Sequence, residues 1–229
     1  METILKDGLT QLGLDTGSIP ALTEFSRRLL EKNRVMNLTA ITQPEEVASK
    51  HFADSVLPAA LLPPGAKVID VGTGAGFPGL PLRILRPDIQ LTLLDSLQKR
   101  IGFLNALCQA LGFADVALLH ARAEDAGRDP ALRGRFDVAL SRAVAPFPVL
   151  LELTVPFLKV GGKSLMYKGP QAQSELQEGE NACKVLHCNT ELLHYAPPWG
   201  ERYVIVAAKA GDTPKAYPRK AGTPAKSPL

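Results

Sequence analysis

Cysteine is scarce in this sequence, and long apolar runs are missing altogether. The 229 residues include three cysteines, Cys108, Cys183 and Cys188, which form no C-x-x-C pair and no Cys/His set with zinc spacing. A disulfide framework and a structural zinc site are therefore excluded, and a reducing cytoplasm fits. No apolar run approaches the ~20 residues that cross a bilayer, and the first residues do not resemble a signal peptide. We expect a cytoplasmic protein that neither enters a membrane nor binds a metal.

An excess of charge of one sign is also lacking. The net charge of +3 equals that of residues 211–229 alone, which hold four cations and one carboxylate. Net charge therefore does not argue for a nucleic-acid partner, and any such surface must be a local patch. The same segment has four prolines and few large apolar residues. We therefore predict a disordered basic tail at 211–229, with a loose contact to a polyanion as its functional alternative.

Short apolar runs alternate with helical patterns from residue 66 onwards. They predict strands at 66–71, 90–95, 115–120, 136–140, 163–167 and 202–208, with a weaker one at 185–195. Helices are predicted between them at 78–86, 97–112, 146–159 and 171–184. This order favours an α/β fold: a mostly parallel twisted sheet with helices on both faces and an antiparallel pair at one edge.

Three helical segments precede the sheet pattern, and they are predicted at 2–13, 20–35 and 44–60. We divide the chain into an N-terminal helical extension at 1–62, a ligand-binding domain at 63–210 and the tail at 211–229.

The string DVGTGAGFPG, which begins at Asp70, follows the first predicted strand. Gly74, Gly76 and Gly79 match the G-x-G-x-x-G spacing of dinucleotide sites, where a pyrophosphate binds at the start of a helix. Asp70 would repel those phosphates. S-adenosylmethionine carries a sulfonium and an ammonium instead, so the same carboxylate favours it. Asp95, at the end of the second predicted strand, can accept both ribose hydroxyls.

Two other interpretations of this loop stay open at this point. One is a NAD-linked oxidoreductase, which Asp70 argues against and which a cofactor-binding titration distinguishes. The other is a plain tight turn that uses glycine for its backbone freedom.

Eight short blocks occur in an order that resembles a known family. They are MNLTAI (36–41), HFADSV (51–56), DVGTGAGFPGLPLRI (70–84), LLDSLQKRIGFL (93–104), ARAED (121–125), SRAVA (141–145), KG (168–169) and ERYVIVAAK (201–209). Together they resemble the glucose-inhibited division protein B family, bacterial methyltransferases that make 7-methylguanosine in small-subunit ribosomal RNA. Thr73, Leu80 and Tyr203 stand where that family more often has Ser, Ile and His.

The resemblance implies a Rossmann-like class I methyltransferase that uses S-adenosylmethionine. Carried over residue by residue, it implies cofactor contacts at Gly72, Phe77, Ala123, Glu124 and Arg142. The residues themselves add Asp70, Gly74, Gly76 and Asp95. Ala123 and Glu124 follow the third predicted strand, where the backbone can read an adenine edge beside a small side chain.

Arg142 follows the fourth predicted strand and is the predicted catalytic residue. Guanine N7 has a free lone pair, so in-line methyl transfer needs alignment and no general base. Arg142 is expected to orient the base or grip a phosphate. The predicted substrate-binding residues are Asn37, Arg142, Lys168 and Arg202. Further candidates for an RNA-facing surface are Arg27, Arg28, Lys32, Arg34, Lys50 and Lys163.

His51 and Asp54 are candidates for holding the nearby helix against the pocket, although a buried histidine with ordinary hydrogen bonds is an equally good interpretation.

The expected activity is S-adenosylmethionine-dependent N7 methylation of a guanosine in 16S ribosomal RNA, free or in the 30S subunit, by a monomer. A methyltransferase of a small molecule or protein is the first alternative, and a salt-dependent RNA affinity would exclude it. A non-catalytic RNA-binding protein with a vestigial pocket is another, and the intact glycines and acidic residues argue against it.

Overall fold

The computed structural model describes residues 2–11 and 16–229. Its centre is a seven-stranded sheet with the order β3-β2-β1-β4-β5-β7-β6. The strands are β1 (Lys67–Val71), β2 (Gln90–Asp95), β3 (Ala117–His120), β4 (Phe136–Arg142), β5 (Leu158–Lys168), β6 (Cys188–Tyr195) and β7 (Arg202–Lys209). Strands β1 to β5 pair in parallel, whereas β7 runs antiparallel to both β5 and β6. The predicted fold class and its antiparallel edge are confirmed.

The helices lie before, between and after the strands. They are α1 (Glu2–Gln11), α2 (Ile19–Met36), α3 (Pro44–Glu46), α4 (Asp54–Val56), α5 (Gly79–Leu85), α6 (Gln98–Ala110), α7 (Ala123–Ala126), α8 (Phe147–Thr154), α9 (Ala172–Glu178), α10 (Glu180–Leu186) and α11 (Thr223–Lys226). Across residues 2–11 and 16–229, no helix is both long and apolar enough to pass through a bilayer. Residues 12 and 13, the end of the first predicted helix, lie outside the described residues.

Two apolar clusters sandwich the sheet because successive residues of a strand point to opposite faces. On β1, Val68 belongs to the cluster that contains Phe25 of α2, whereas Ile69 belongs to the one that contains Phe147 of α8. The N-terminal helices therefore share their core with one face of the sheet. This packing places α2 and the segment after it against the loop that follows β1.

Two predicted helices are interrupted. The predicted helix 44–60 changes its hydrogen-bond pattern along its length: a π-helical stretch at Val47–Ala53 separates α3 from α4, and a short 3-10 helix at Ala59–Leu61 follows. The predicted helix 171–184 divides into α9 and α10 at Gly179, where an added Cβ would lie 2.2 Å from the Phe147 ring. The close approach of that ring requires a glycine at the junction.

The C-terminal segment corrects the prediction of a disordered tail. Residues 211–229 lie against the domain, and Arg133 donates to the carbonyl oxygens of Thr213 and Tyr217 at 2.9 and 2.7 Å. The prediction relied on the low apolar content of the segment. Polar partners on the domain supply the missing contacts, since Glu152, which is 0 % exposed, pairs with Arg219 at 2.6 Å. The domain boundaries at 62 and 210 stay predictions.

Candidate functional site

A glycine loop joins β1 to α5 at the carboxyl edge of the sheet. Gly72, Gly74 and Gly76 have φ angles of 74°, 61° and 101°, in the left-handed region that other residues rarely adopt. A Cβ on Gly72 would lie 2.7 Å from the side chain of Val144, in the loop after β4. The loops after β1 and β4 therefore touch at Gly72, where a ligand can contact bare backbone.

Asp70, at the penultimate position of β1, is buried beneath this loop. Its Oδ2 accepts hydrogen bonds from the Thr73 hydroxyl at 2.7 Å and from the Gly79 N–H at 2.9 Å. Its Oδ1 is buried without a partner. Burial raises the pKa of this carboxyl from 3.8 to about 6, against the effect of the two hydrogen bonds and of Arg142. An unpartnered buried carboxylate oxygen is an acceptor for a cationic or hydrogen-bonding ligand.

Asp95 ends β2 directly beside the glycine loop. Its Oδ2 accepts from the Gly74 N–H at 2.9 Å and from Arg100 at 3.2 Å, and its Oδ1 accepts from the Leu97 N–H at 2.9 Å. The structure thus brings Asp95 to the loop, as predicted from the two strand ends. Its contact with a ribose stays a prediction.

Ala123 and Glu124 begin α7, which follows β3. Ala123 is half-buried, and Glu124 is buried with its carboxylate bonded to the Gly222 N–H of the C-terminal segment at 2.8 Å. The side chain of Glu124 is therefore engaged by the tail, so an adenine contact at this position would come from the backbone.

Arg142 ends β4 and contacts both the glycine loop and the N-terminal segment. Its guanidinium lies 5.0 Å from the centre of the Phe77 ring, a cation–π contact. It also donates to the carbonyl oxygens of Lys50 and His51, to the Ser55 hydroxyl and to His51 Nδ1, at 3.2–3.4 Å. Desolvation lowers the pKa of this arginine. Arg142 is held in one orientation by partners from distant parts of the chain.

His51 links Arg142 to the loop after α2. Because an arginine only donates, Nδ1 of His51 accepts, so Nε2 carries the hydrogen and donates it to the Thr39 hydroxyl at 2.7 Å. Its ring also stacks on Phe77, with centroids 4.6 Å apart. Burial and the nearby charge of Arg142 lower the pKa of His51 to about 4, so the ring is neutral at pH 7.

A cleft of about 1030 Å³ opens beside Arg142. Its wall includes the loop after β4 and the ends of β5 and β7, with Arg142, Lys168 and Arg202 among the lining residues. Val144, which touches Gly72, also lines it. Three of the four predicted substrate-binding residues therefore meet in one cleft, and this cleft adjoins the glycine loop.

Two of these cations have acidic partners in the cleft. Lys168 pairs with Glu175 at 2.6 Å, and Arg202 pairs with Asp54 at 2.7 Å. Asp54 also accepts from the Trp199 indole N–H. Asp54 lies near the pocket, as expected, but its pairing with Arg202 and Trp199 could not be predicted, because these residues lie far from it along the chain.

Asn37, the fourth predicted substrate-binding residue, does not line the cleft. It ends α2 in the left-handed conformation with φ 50°, and its N–H donates to the Asn33 carbonyl at 3.2 Å. Its side chain is exposed. A substrate contact by Asn37 stays a prediction.

The proposed RNA-facing cations of α2 and of the π-helical stretch after it are partly neutralised. Arg27 and Arg28 pair with Glu24 at 2.8 and 2.6 Å, and Lys50 pairs with Glu46 at 2.6 Å. Such exposed pairs contribute little to stability and exchange easily with other ions. Lys32, Arg34 and Lys163 are exposed.

Comparisons with known proteins identify the family. The sequence model of the GidB family, described as rRNA small subunit methyltransferase G, matches residues 18–197. The chain belongs to this family. A protein of Desulfitobacterium hafniense (strain Y51) named Ribosomal RNA small subunit methyltransferase G is 47% identical over 94% of this chain and 91% of its own. One of the same name from Alkaliphilus metalliredigens (strain QYMF) is 45% identical over 99% of this chain and 98% of its own.

Solved structures agree on the fold. An O-methyltransferase from Bacillus cereus, in complex with SAH, matches with a TM-score of 0.58 and 16% identity over 81% of this chain and 90% of its own. A methyltransferase from Pyrococcus furiosus matches with a TM-score of 0.57 and 17% identity over 82% of this chain and 98% of its own. At this identity the likeness concerns the fold alone. Membership of the GidB family confirms the predicted enzyme class, an S-adenosylmethionine-dependent rRNA methyltransferase.

The residues of the glycine loop fit this cofactor. The loop exposes backbone at glycines where a side chain would intrude, and Asp70 supplies an unpartnered oxygen of negative charge. Within the described residues, no group of three or more His, Cys, Asp or Glu could hold a metal ion. The residue-by-residue cofactor contacts stay predictions.

Proposed function

We propose that this chain methylates N7 of a guanosine in 16S ribosomal RNA. The main support is the position of Arg142, which contacts Phe77 of the glycine loop and also lines the cleft. A group in that position can align a base in the cleft with a methyl donor at the loop.

S-adenosylmethionine, when bound, would supply an electrophilic methyl carbon, to which guanine N7 bonds in line as the carbon–sulfur bond breaks and the neutral thioether leaves. Asp70 with Gly72, Gly74 and Gly76 would hold the amino-acid part, Asp95 the ribose, and the backbone at Ala123 and Glu124 the adenine. Phe77 would act through Arg142, on which its ring packs. These roles are consistent with a carboxylate at each of two strand ends beside the glycine loop.

The proposed reaction needs no general base, because guanine N7 carries no proton. His51 and Ser55, the polar side chains that contact Arg142, are used to hold its guanidinium. Arg142 then presents a planar donor group of fixed orientation to the base or its phosphate. Lys168 and Arg202 line the same cleft, where a phosphate of the RNA backbone would have to displace their partners Glu175 and Asp54.

The proposal extends to the 30S subunit or free 16S RNA as the partner, to a monomeric enzyme and to the cytoplasm as its location.

The test is methyl transfer from labelled S-adenosylmethionine, with 16S RNA, 30S subunits and a set of small molecules offered in parallel. Digestion of the RNA to nucleosides should yield labelled 7-methylguanosine from the RNA or the subunit, and no label in the small molecules. Arg142→Lys is the matched control, since it keeps the charge and loses the planar group. Label in another nucleoside, or in a small molecule alone, would contradict the proposal.

A further inference from the structure

The C-terminal segment contacts both ends of α7. At the first turn, the Gly222 N–H donates to Oε1 of Glu124 at 2.8 Å, and Glu124 is 8% exposed. At the last turn, Pro218 packs so closely that a Cβ on Gly127 would lie 3.1 Å from its ring. Because α7 spans only Ala123–Ala126, it is too short to be stable alone and depends on such contacts.

The segment is itself anchored to the domain. Arg219 pairs with the fully buried carboxylate of Glu152 on α8 through its side chain, and its backbone N–H donates to the same carboxylate at 2.7 Å. Arg133 and Arg128 donate to backbone carbonyl oxygens of the segment, among them those of Tyr217 and Pro218, each at 2.7 Å. The contact at Gly222 is therefore made by a segment that is held on the domain through its residues 213–219.

The two anchors differ in what they hold. The Arg219 pair joins the segment to α8, which lies in the core. The bond from Gly222 joins it to the helix where we propose that the adenine binds. Loss of the second contact alone removes a restraint on α7 and leaves the first intact.

We propose that the C-terminal segment positions α7 for the cofactor, with Gly222 and Glu124 as its positioning residues. This inference rests on the proposed function, since it takes α7 to be part of the cofactor site. The Glu124 carboxylate acts by bonding the segment, not by touching the adenine. Because coupling between two sites is reciprocal, a bound cofactor also stabilises the docked segment.

A truncation after Ala221 separates these contacts. It removes the Gly222 N–H, α11 and the packing of Pro224 and Leu229, but it keeps Arg219, Pro218 and the carbonyl oxygens bound by Arg133. We expect the dissociation constant for S-adenosylhomocysteine, measured by calorimetry, to rise about tenfold, the ratio expected for one lost charge-assisted hydrogen bond. The kcat at saturating cofactor should stay near that of the full chain. Lys226→Ala is the control for the lost cation and should bind the cofactor like the full chain.

A double-mutant cycle with Glu124→Ala distinguishes positioning from direct contact. Glu124→Ala alone should raise the dissociation constant for S-adenosylhomocysteine as much as the truncation does. The double variant should bind no more weakly than either single variant. If the fold-change in the double variant instead equals the product of the two single fold-changes, the carboxylate contacts the cofactor itself, and the proposal is overturned.

Hydrogen exchange of the full chain, measured with and without S-adenosylhomocysteine, tests the same proposal without a variant. Amides of residues 213–226 should exchange several-fold more slowly when S-adenosylhomocysteine is bound. Unchanged exchange in a chain that binds the cofactor would overturn this inference alone. No binding by the full chain would overturn the proposed function, and the inference with it.

Discussion

Asp70→Asn should change the pH dependence of stability in a direction opposite to that of most carboxylates. The Asp70 carboxyl is 0 % exposed, and burial raises its pKa from 3.8 to about 6. A group whose pKa is raised on folding binds more protons in the native state. Its contribution to stability is present below pH 4 and is lost as the pH rises through 6.

The magnitude follows from the shift. About two pKa units correspond to about 3 kcal/mol of unfolding free energy between pH 4 and pH 7. The wild-type curve alone conceals this change, because His51 acts in the opposite sense. Its pKa is lowered from 6.5 to about 4, so its contribution is present above pH 6.5 and is lost as the pH falls. The difference between variant and wild type cancels His51 and isolates Asp70.

The assay is urea unfolding of both proteins, without cofactor, at intervals from pH 4 to pH 7. The free energy of unfolding of Asp70→Asn, minus that of the wild type, should rise by about 3 kcal/mol across this range. Asp88→Asn is the control: the Arg86 guanidinium holds the pKa of that surface carboxyl low, so its contribution is lost only below about pH 4 and its difference should stay nearly constant from pH 4 to pH 7. A constant difference for Asp70→Asn would refute the reasoning. At pH 7 the same variant should bind S-adenosylmethionine more weakly.

Four further outcomes are expected. Arg142→Ala should lower kcat by at least about a hundredfold with circular dichroism unchanged, because alignment terms reach several kcal/mol; Arg142→Lys should restore little, and near-normal activity would contradict the assigned role. Asp95→Ala should weaken cofactor binding by about 1–3 kcal/mol in calorimetry, since it removes a charged acceptor, and unchanged affinity would remove Asp95 from the site. Arg219→Ala should lower the free energy of unfolding by about 3 kcal/mol because it leaves the buried Glu152 carboxylate without its counter-ion, whereas Lys220→Ala should not. The kcat should not change from about pH 6.5 to 9, and a steep rise across that range would indicate a general base. The kcat/KM for the cofactor should fall below about pH 6, as Asp70 takes up a proton.

Local sequence patterns were sufficient to predict the fold, the glycine loop and the position of Asp95. Strand periodicity and the turns between strands predicted a mostly parallel sheet with an antiparallel edge, because each signal lies within a few residues. The string from Asp70 to Gly79 predicted a ligand-binding loop for the same reason, since backbone freedom is a property of glycine itself. Asp95 could be placed beside it because the carboxyl ends of parallel strands share one edge.

Interactions between distant residues could not be predicted in this way. The side chain of Arg142 is held by His51, 91 positions away, and that of Glu124 by Gly222, 98 positions away. The tail has the composition of a disordered segment, yet buried acceptors on the domain, such as Glu152, bind it. The pKa values of Asp70 and His51 likewise depend on desolvation. The amino-acid order determined which groups are present, and only the tertiary structure decided which of them are buried together, because burial is set by packing between elements far apart in the chain.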